Sequence, residues 1–231
     1  MKFFEDDDWL DWQSRMADCY DSLNYKDGAC GFFLRQSHRL AEYKFSEMNH
    51  FAKVLEVGAG TGQHFNYIRH DFDEYYMTDL SQKVIQIAHK SNRHNLDGRI
   101  RLITSDCANL SFSDNVFDRL VAVHVLEHIH FPHKTLKEWR RVVKKGGTIT
   151  ILLPTDPGIA WRIGRIYARR KALRLGIAYD YVMAREHVNP VNNLIALIRY
   201  YFKNLEERWH PFSIPSIDLN FYYCCHIHND D

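Results

Sequence analysis

Val54-Leu55-Glu56-Val57-Gly58-Ala59-Gly60-Thr61-Gly62 carries a short apolar run into a turn built on alternating glycines. Glycine has no Cβ, so such a turn bends sharply at a strand end and lets the backbone approach a ligand closely. The spacing is G-x-G-x-G, with Gln63 where a dinucleotide fingerprint has its third glycine, which weakens the reading as a nicotinamide-dependent oxidoreductase. Glu56 carries more information. A carboxylate on the strand, two residues before the turn, sits beneath a cationic ligand and repels a pyrophosphate.

Outward from this stretch, short β-rich runs alternate with helix-length segments, the pattern of a parallel sheet with crossover helices. The runs are KVLEVG, EYYMT (74–78), RIRLIT (99–104), DRLVAVHV (118–125) and GTITILLP (147–154), with helices expected near 62–70, 81–94 and 132–144. Gly146-Gly147 reads as a helix stop and turn. Asn189-Pro190 reads as the start of a helix, Asn as N-cap and Pro in the first turn, running to about Phe202. LEERWHPF and LNFYYCCHI then suit an antiparallel pair at one sheet edge. Residues 1–50 read as an N-terminal helical arm or lid, with Glu5, Asp6, Asp7, Asp8, Asp11, Asp18 and Asp21 early and an amphipathic stretch from Phe32 to Met48. Residues 51–231 form the main domain, including a helical cap at 155–186.

Composition narrows the function classes. The chain has 231 residues, 45% of them hydrophobic, enough to bury a sizeable core, which excludes a disordered or fibrous protein. Its 30 basic and 29 acidic side chains nearly balance, against a wholesale nucleic-acid binder. Its 14 histidines make the charge sensitive to pH. Cys19, Cys30, Cys107, Cys224 and Cys225 lack metal spacing, and MKFFEDDDWLDW lacks a signal-peptide layout, so a reduced, cytoplasmic protein is expected. No apolar stretch approaches the ~20 residues needed to cross a bilayer.

With its E-x-G-x-G-x-G motif the sequence resembles the class I S-adenosylmethionine-dependent methyltransferases, in particular the broad group acting on small molecules (type 11-like), over roughly residues 50–154. The resemblance implies a Rossmann-like, doubly wound, mostly parallel sheet of about seven strands with S-adenosylmethionine as cofactor. It places Glu56, Gly58, Ala59, Gly60, Thr61, Gly62 and His64 at the glycine turn. Asp79, with Leu80 beside it, matches the acid whose carboxylate accepts hydrogen bonds from the ribose hydroxyls. Asp106, Cys107 and Ala108 match the adenine contact. The segment 117–129 matches the fourth strand and the loop facing the methyl group, with His124 against the cofactor.

The histidines are the candidate chemistry. His124, Glu127 and His128 spell H-x-x-E-H, which on a long helix would bind zinc, but DRLVAV is a strand and Pro132 leaves no room for that helix. Some members of the resembled superfamily hold a divalent cation with Glu-x-x-Glu-His. Here His124 replaces the first Glu, so no metal site is assigned. His124, His187 and His128 are the candidate catalytic residues, since imidazole takes a hydroxyl proton at neutral pH. Orienting, core or capping roles stand beside that reading for each. His130 and His133 are expected at the surface, and Cys224 and Cys225 in the core.

Between Asp156 and Asp180 there is no acid, and Arg162, Arg165, Arg169, Arg170, Lys171 and Arg174 make the segment basic. Ile159, Ile163, Ile166, Leu173 and Ile177 recur at near-helical spacing, so the cap is expected to pack by its apolar side with the arginines solvated. The arginines alternatively bind a substrate anion or rest on a membrane surface, a peripheral contact through 162–174. A likeness of the P-x-D-P-G…R cap and H-V-N-P to methyltransferases of polysaccharide clusters makes O-methylation of a sugar or glycan the first expectation. The alternatives are a quinone, lipid or natural-product acceptor, a non-catalytic S-adenosylmethionine-binding protein, and the nicotinamide-dependent oxidoreductase.

Overall fold

A computed structural model of the chain describes residues 7–24, 29–91 and 98–230, with backbone alone for 16–24, 29, 30 and 91. Cys19, Cys30 and the acids Glu5, Asp6, Asp18 and Asp21 therefore lie outside the described side chains. Among the described residues seven strands form one sheet: β1 (His50–Val57), β2 (Asp71–Asp79), β3 (Ile100–Thr104), β4 (Phe117–Val123), β5 (Val143–Pro154), β6 (Leu205–His210) and β7 (Tyr222–His228). Their order is β3-β2-β1-β4-β5-β7-β6. The first five pair in parallel, and β7 runs antiparallel between β5 and β6. This is the doubly wound sheet with a terminal antiparallel pair that the sequence predicts. The helices are α1 (Asp7–Asn24), α2 (Ala29–Ala41), α3 (Gln82–Ser91), α4 (Pro132–Val142), α5 (Ile159–Arg174), α6 (Tyr179–Glu186) and α7 (Val191–Tyr201).

Several local expectations are corrected. The helix expected at 62–70 is one turn of 3-10 helix, His64–Tyr67. Asp71 pairs beside His50, so residues 58–70 must climb back along the whole of β1, about 25 Å at ~3.3 Å per residue. Residues 58–62 form the turn, and 63–70 as α-helix would span only about 12 Å. The helix from 81 ends within the described residues at Ser91, and 92–94 lie outside them. The stretch Phe32–Met48 is helical only to Ala41. Gly146 and Gly147 lie inside β5, where Gly146 (φ +77°) sits at an irregularity in the pairing with β4, and a Cβ on Gly147 would lie 2.9 Å from the Asp118 carbonyl. Asn189 does not cap α7. Pro190 takes that place, and the Asn189 amide donates to the carbonyls of Ile129 (2.6 Å) and Leu126 (3.3 Å), tying α7 to the loop after β4.

The period-two alternation of the strands gives the sheet two unlike faces. Leu55, Leu120, Ala122, Ile149, Ile151, Leu153, Tyr223 and Cys225 pack with Leu136, Trp139, Leu194 and Ile198 of α4 and α7 into an apolar core. The opposite face, under α2, packs Leu40, Ala41, Leu152, Tyr222 and Cys224. Next to that patch the α2 side buries Glu56 of β1, Arg119 of β4, Thr150 of β5 and His226 of β7, four polar groups in the middle of a sheet. Cys224 and Cys225 are buried, as expected, and burial pushes both thiols up.

The cap differs from expectation in its orientation. Ile159, Ile163, Ile166 and Leu173 of α5 face outward, and the helix packs through Trp161, Gly164 and Ala172, with Ile177 buried beyond its end. α1 lies against this cap: Trp12 donates to Glu186 (2.5 Å), Arg185 stacks on Trp9 (4.0 Å) and Arg15 donates to the Leu175 carbonyl (2.7 Å). Lys83 of α3 donates to the Ser14 carbonyl (3.3 Å), so α1 bridges from the cap to the helix that follows β2.

Candidate active site

In a doubly wound sheet, ligands bind beyond the carboxyl ends of the strands where the order reverses, here between β1 and β4. The predicted residues converge there, each just past a strand: the glycine turn after β1, Asp79 at the end of β2, Asp106 after β3, and His124 to His128 after β4.

The turn has Gly58, Gly60 and Gly62 at φ +62°, +56° and +80°, conformations that side-chain-bearing residues avoid. A Cβ on Gly58 would lie 2.5 Å from a Val125 methyl, whereas one on Gly60 would meet nothing within 4 Å, so the turn is open on its ligand side. Asp79 fastens the turn: its carboxylate accepts from Gly60 N–H (3.0 Å) and Ser81 N–H (2.9 Å). Leu80 is exposed beside it. Asp106 accepts from Ala108 N–H (2.8 Å), and the Cys107 carbonyl accepts from Trp139 (3.0 Å). Burial pushes the Cys107 thiol up to about 12, so it is no nucleophile at neutral pH.

A recess of about 50 Å³ lies under the turn, lined by Glu56, Gly58, Ala59, Gly60, Thr61 and Gln63 and closed by His38, His64, Val123 and His124. Glu56 forms its floor. Its carboxylate accepts from the Tyr75 hydroxyl (2.9 Å), and burial raises its pKa, outweighing the charges of His64 and Arg119 and the Tyr75 hydrogen bond. These features fit S-adenosylmethionine: an open glycine cradle, a strand-end acid for a diol, and a buried carboxylate whose ionised form a cationic ligand stabilises. Pyrophosphate meets the same carboxylate as a repulsion.

Behind the recess lies a network that sequence reasoning missed. His64 Nδ1 meets His38 Nδ1 (3.2 Å) and His64 Nε2 meets Glu42 (3.1 Å). Glu42 in turn takes a two-pronged contact from Arg119, whose guanidinium lies 3.9 Å from the Phe45 ring centre. Burial opposes ionisation of Glu42, but the charge of Arg119 and the His64 hydrogen bond hold its carboxyl well below the usual range. Burial likewise pushes His38 down. The one legible signal was Arg119, a charge inside the apolar run DRLVAV.

Beyond β4 the three candidate histidines gather around Glu127. His124 has φ +58°, a strained backbone for a non-glycine residue, and is held by Ser37 Oγ at Nε2 (2.9 Å) and Glu127 at Nδ1 (3.5 Å). His128 donates from Nδ1 to the Glu186 carbonyl (2.9 Å), with Nε2 3.9 Å from Glu127. Burial raises Glu127, but the His124 hydrogen bond and the charges of His128, His124 and His187 bring it net below its ordinary value. His130 is exposed and His133 half-buried. Among the described residues no group of three or more His, Cys, Asp and Glu side chains is arranged to hold a metal ion.

His187 has a partner the sequence reading overlooked. Asp156, two residues past β5, accepts from His187 Nδ1 (2.9 Å) and lies 3.4 Å from Arg165. Burial raises this carboxyl too, but the His187 hydrogen bond and the charges of His187 and Arg165 leave it lowered. The strand-end rule that finds Asp79 and Asp106 would have found Asp156. Rings connect the two ends of the site: His124 edge-on to Tyr222 (5.5 Å), Tyr222 to Trp161 (6.0 Å), Trp161 parallel to His187 (6.3 Å), and His187 edge-on to His128 (5.0 Å).

Comparison with known proteins agrees with this geometry. Residues 55–151 match a family of methyltransferase domains. A demethylmenaquinone methyltransferase of Bacteroides fragilis is 27% identical over 145 residues, 62% of this chain and 58% of that protein. One of Thermotoga maritima is 30% identical over 156 residues, 67% of this chain and 65% of that protein. The chain thus spans about three fifths of the length of these relatives. A candidate S-adenosyl-L-methionine-dependent methyltransferase of Methanococcus maripaludis shares the fold at a TM-score of 0.64 and 17% identity, covering 100% of this chain and 98% of that one. S-adenosylmethionine is the methyl donor of the family. Residues 55–151 of this chain are a methyltransferase domain of the class I S-adenosylmethionine-dependent family.

Proposed function

We propose that the protein transfers a methyl group from S-adenosylmethionine to an apolar ring acceptor that bears a hydroxyl, of the hydroquinone kind. The observation that carries this reading is the aromatic run Tyr222–Trp161–His187, leading from the donor recess to an imidazole oriented by Asp156. The names of the relatives, demethylmenaquinone methyltransferases, support a ring acceptor over a sugar. The segments behind the sugar expectation make internal contacts instead: Asp156 holds His187, Gly158 packs on the Ile217 backbone, and Asn189 holds the loop after β4.

S-adenosylmethionine supplies a methyl on a positively charged sulfur, open to in-line displacement. The protein's part is alignment, water exclusion and one proton transfer. With Nδ1–H given to Asp156, His187 presents the lone pair of Nε2 to an acceptor hydroxyl, and Asp156 balances the charge that forms on the imidazole. The deprotonated acceptor places negative charge on its oxygen and on the adjacent ring carbons. Attack through oxygen completes the transfer, whereas attack through carbon is followed by loss of that carbon's proton to solvent and return of the His187 proton to the oxygen, which restores the aromatic ring. Trp161 and Tyr222 wall the crevice against water, and α1 covers it from the cap side. His124 borders both recess and crevice and positions the two reactants.

The test combines binding and turnover. S-adenosylhomocysteine should raise the melting temperature and NAD(H) should not; equal protection by NAD(H) refutes the cofactor. Incubation with S-adenosylmethionine and parallel sets of hydroquinones and glycosides, read by mass spectrometry, should add one methyl to a hydroquinone. Methylation confined to the glycosides would restore the sugar reading, and cofactor binding without transfer to either set would make the protein a non-catalytic binder.

A further inference from the structure

α5 turns its isoleucines to the outside. Ile159, Ile163, Ile166 and Leu173 are 57%, 56%, 48% and 48% exposed and recur at the spacing of one helix face. Arg162, Arg170 and Arg174 are exposed on that same face, between the apolar side chains rather than opposite them. The inward side is made of small residues: Gly164 lies against Phe221 and Ala172 is buried. The apolar surface continues at the helix start, where the Ala160 N–H donates to the Asp218 carbonyl (3.0 Å) beside the exposed Ile214 and Leu219. The acids nearby are engaged: Asp180 pairs with Arg169 (2.7 Å), and Asp218 accepts from Ile159 N–H (3.2 Å).

An exposed surface of this kind marks an interaction site. Its charge pattern selects the occupant. Nucleic acid would be served by the arginines but not by exposed isoleucines. A protein partner buries apolar side chains at the centre of an interface and leaves its charges at the rim. Here the cations are interspersed among the apolar side chains, in the order Ile159, Arg162, Ile163, Ile166, Arg170, Leu173, Arg174, so the surface facing them must offer anions and hydrocarbon within about one side-chain length of each other. The headgroup layer of a bilayer does so: isoleucine and leucine reach the acyl boundary while arginine stems lie along it with their guanidinium groups at the phosphates. We propose that the exposed face of α5, with Ile214 and Leu219, is a docking surface for anionic lipid bilayers. No helix of the described residues is long and apolar enough to cross a membrane, so the contact is peripheral. Asp156 lies two residues before Gly158, the N-cap of α5, so docking would seat the mouth of the crevice at the membrane surface. The docking surface stands whatever the acceptor is.

The experiment is flotation of the full chain with vesicles of phosphatidylcholine alone or of phosphatidylcholine with phosphatidylglycerol. The protein should float with the anionic vesicles only, and less at high salt. Arg162→Ser/Arg170→Ser/Arg174→Ser should lower partitioning on the order of a hundredfold, from ~1 kcal/mol for each arginine at the surface. Ile163→Ser/Ile166→Ser should also weaken partitioning, by a factor relative to the wild type that does not change with salt. Both variants alter exposed side chains, so unchanged melting temperature and S-adenosylhomocysteine binding verify the fold. The proposal is overturned if the wild-type chain floats with neither vesicle, or if both variants bind as it does. It is overturned equally if the chain self-associates with rising concentration and Ile163→Ser/Ile166→Ser abolishes this, which would give the face to a second copy.

Discussion

Removing the guanidinium of Arg119 should be the most damaging single change outside the apolar core. Arg119 and Glu42 are both fully buried, and their two-pronged contact joins the segment just after α2 to the centre of the sheet. Arg119→Met keeps the volume but leaves the Glu42 carboxylate buried with His64 as its remaining partner among these contacts. It also removes a cation packed 3.9 Å from the Phe45 ring centre. Truncating one partner of such a pair costs about 3–5 kcal/mol, because the surviving charge has no water to return to. For a chain of this size that is a fall in Tm of roughly 6–20 °C. Glu42→Gln should cost a comparable amount by stranding Arg119. The double variant should recover much of the loss, since a neutral pair has little to desolvate. Urea unfolding of the four proteins gives the cycle directly. If each single variant loses less than about 1 kcal/mol, or if the losses add in the double variant, the pair does not hold the arm to the sheet.

The remaining predictions concern protons, the base and the turn. Burial and the Arg119 charge hold His70 near 4, and burial with the charges of Arg119 and Lys44 holds His226 near 3, whereas in the unfolded chain both titrate near ~6.5. Between those values the unfolded state binds more protons. Stability should therefore be complete above about pH 6.5 and fall with acidification by up to ~1.4 kcal/mol per pH unit for each histidine. Urea midpoints that are flat from pH 7 to 5 would contradict this. Asp156→Asn should lower kcat by about 10²- to 10⁴-fold and alter the pH–rate profile while S-adenosylhomocysteine still binds, because the amide no longer fixes the His187 tautomer; an unchanged profile would remove the dyad from the reaction. Gly58→Ala should weaken cofactor binding and cost at least ~1 kcal/mol of stability, read by calorimetry, since its Cβ would lie 2.5 Å from Val125 at a positive φ.

What the sequence shows well is what repeats along the chain or falls at strand ends. Alternating β-rich and helix-length segments suffice for the sheet, and the glycine spacing with Glu56 suffices for the kind of cofactor. Orientation about a helix axis is less legible. The isoleucines of α5 have helical periodicity, but periodicity does not say which side meets the protein, and small residues such as Gly164 and Ala172 pack closely enough to claim the inner side. The Glu42–Arg119–His64–His38 network was hidden for another reason. Its members lie 77 and 22 residues apart in the contacts of Glu42 with Arg119 and His64, and nothing local marks such partners. Asp156 obeys the rule that exposes Asp79, but its partner His187 lies 31 residues further on, and nothing local marks the pair.

The single 3-10 turn that replaces a helix after the glycines bears on cofactor choice. A full helix at that place would point the positive end of its macrodipole at the ligand, the device by which many nucleotide folds attract phosphate. One short turn sums few peptide dipoles, so it adds little positive potential of its own above Glu56 at the floor of the recess. The chain therefore selects its cofactor by charge sign twice over, through a carboxylate that is present and a dipole that is curtailed. Converting this fold to a phosphate-bearing cofactor would require rebuilding the crossover between β1 and β2 as well as replacing Glu56.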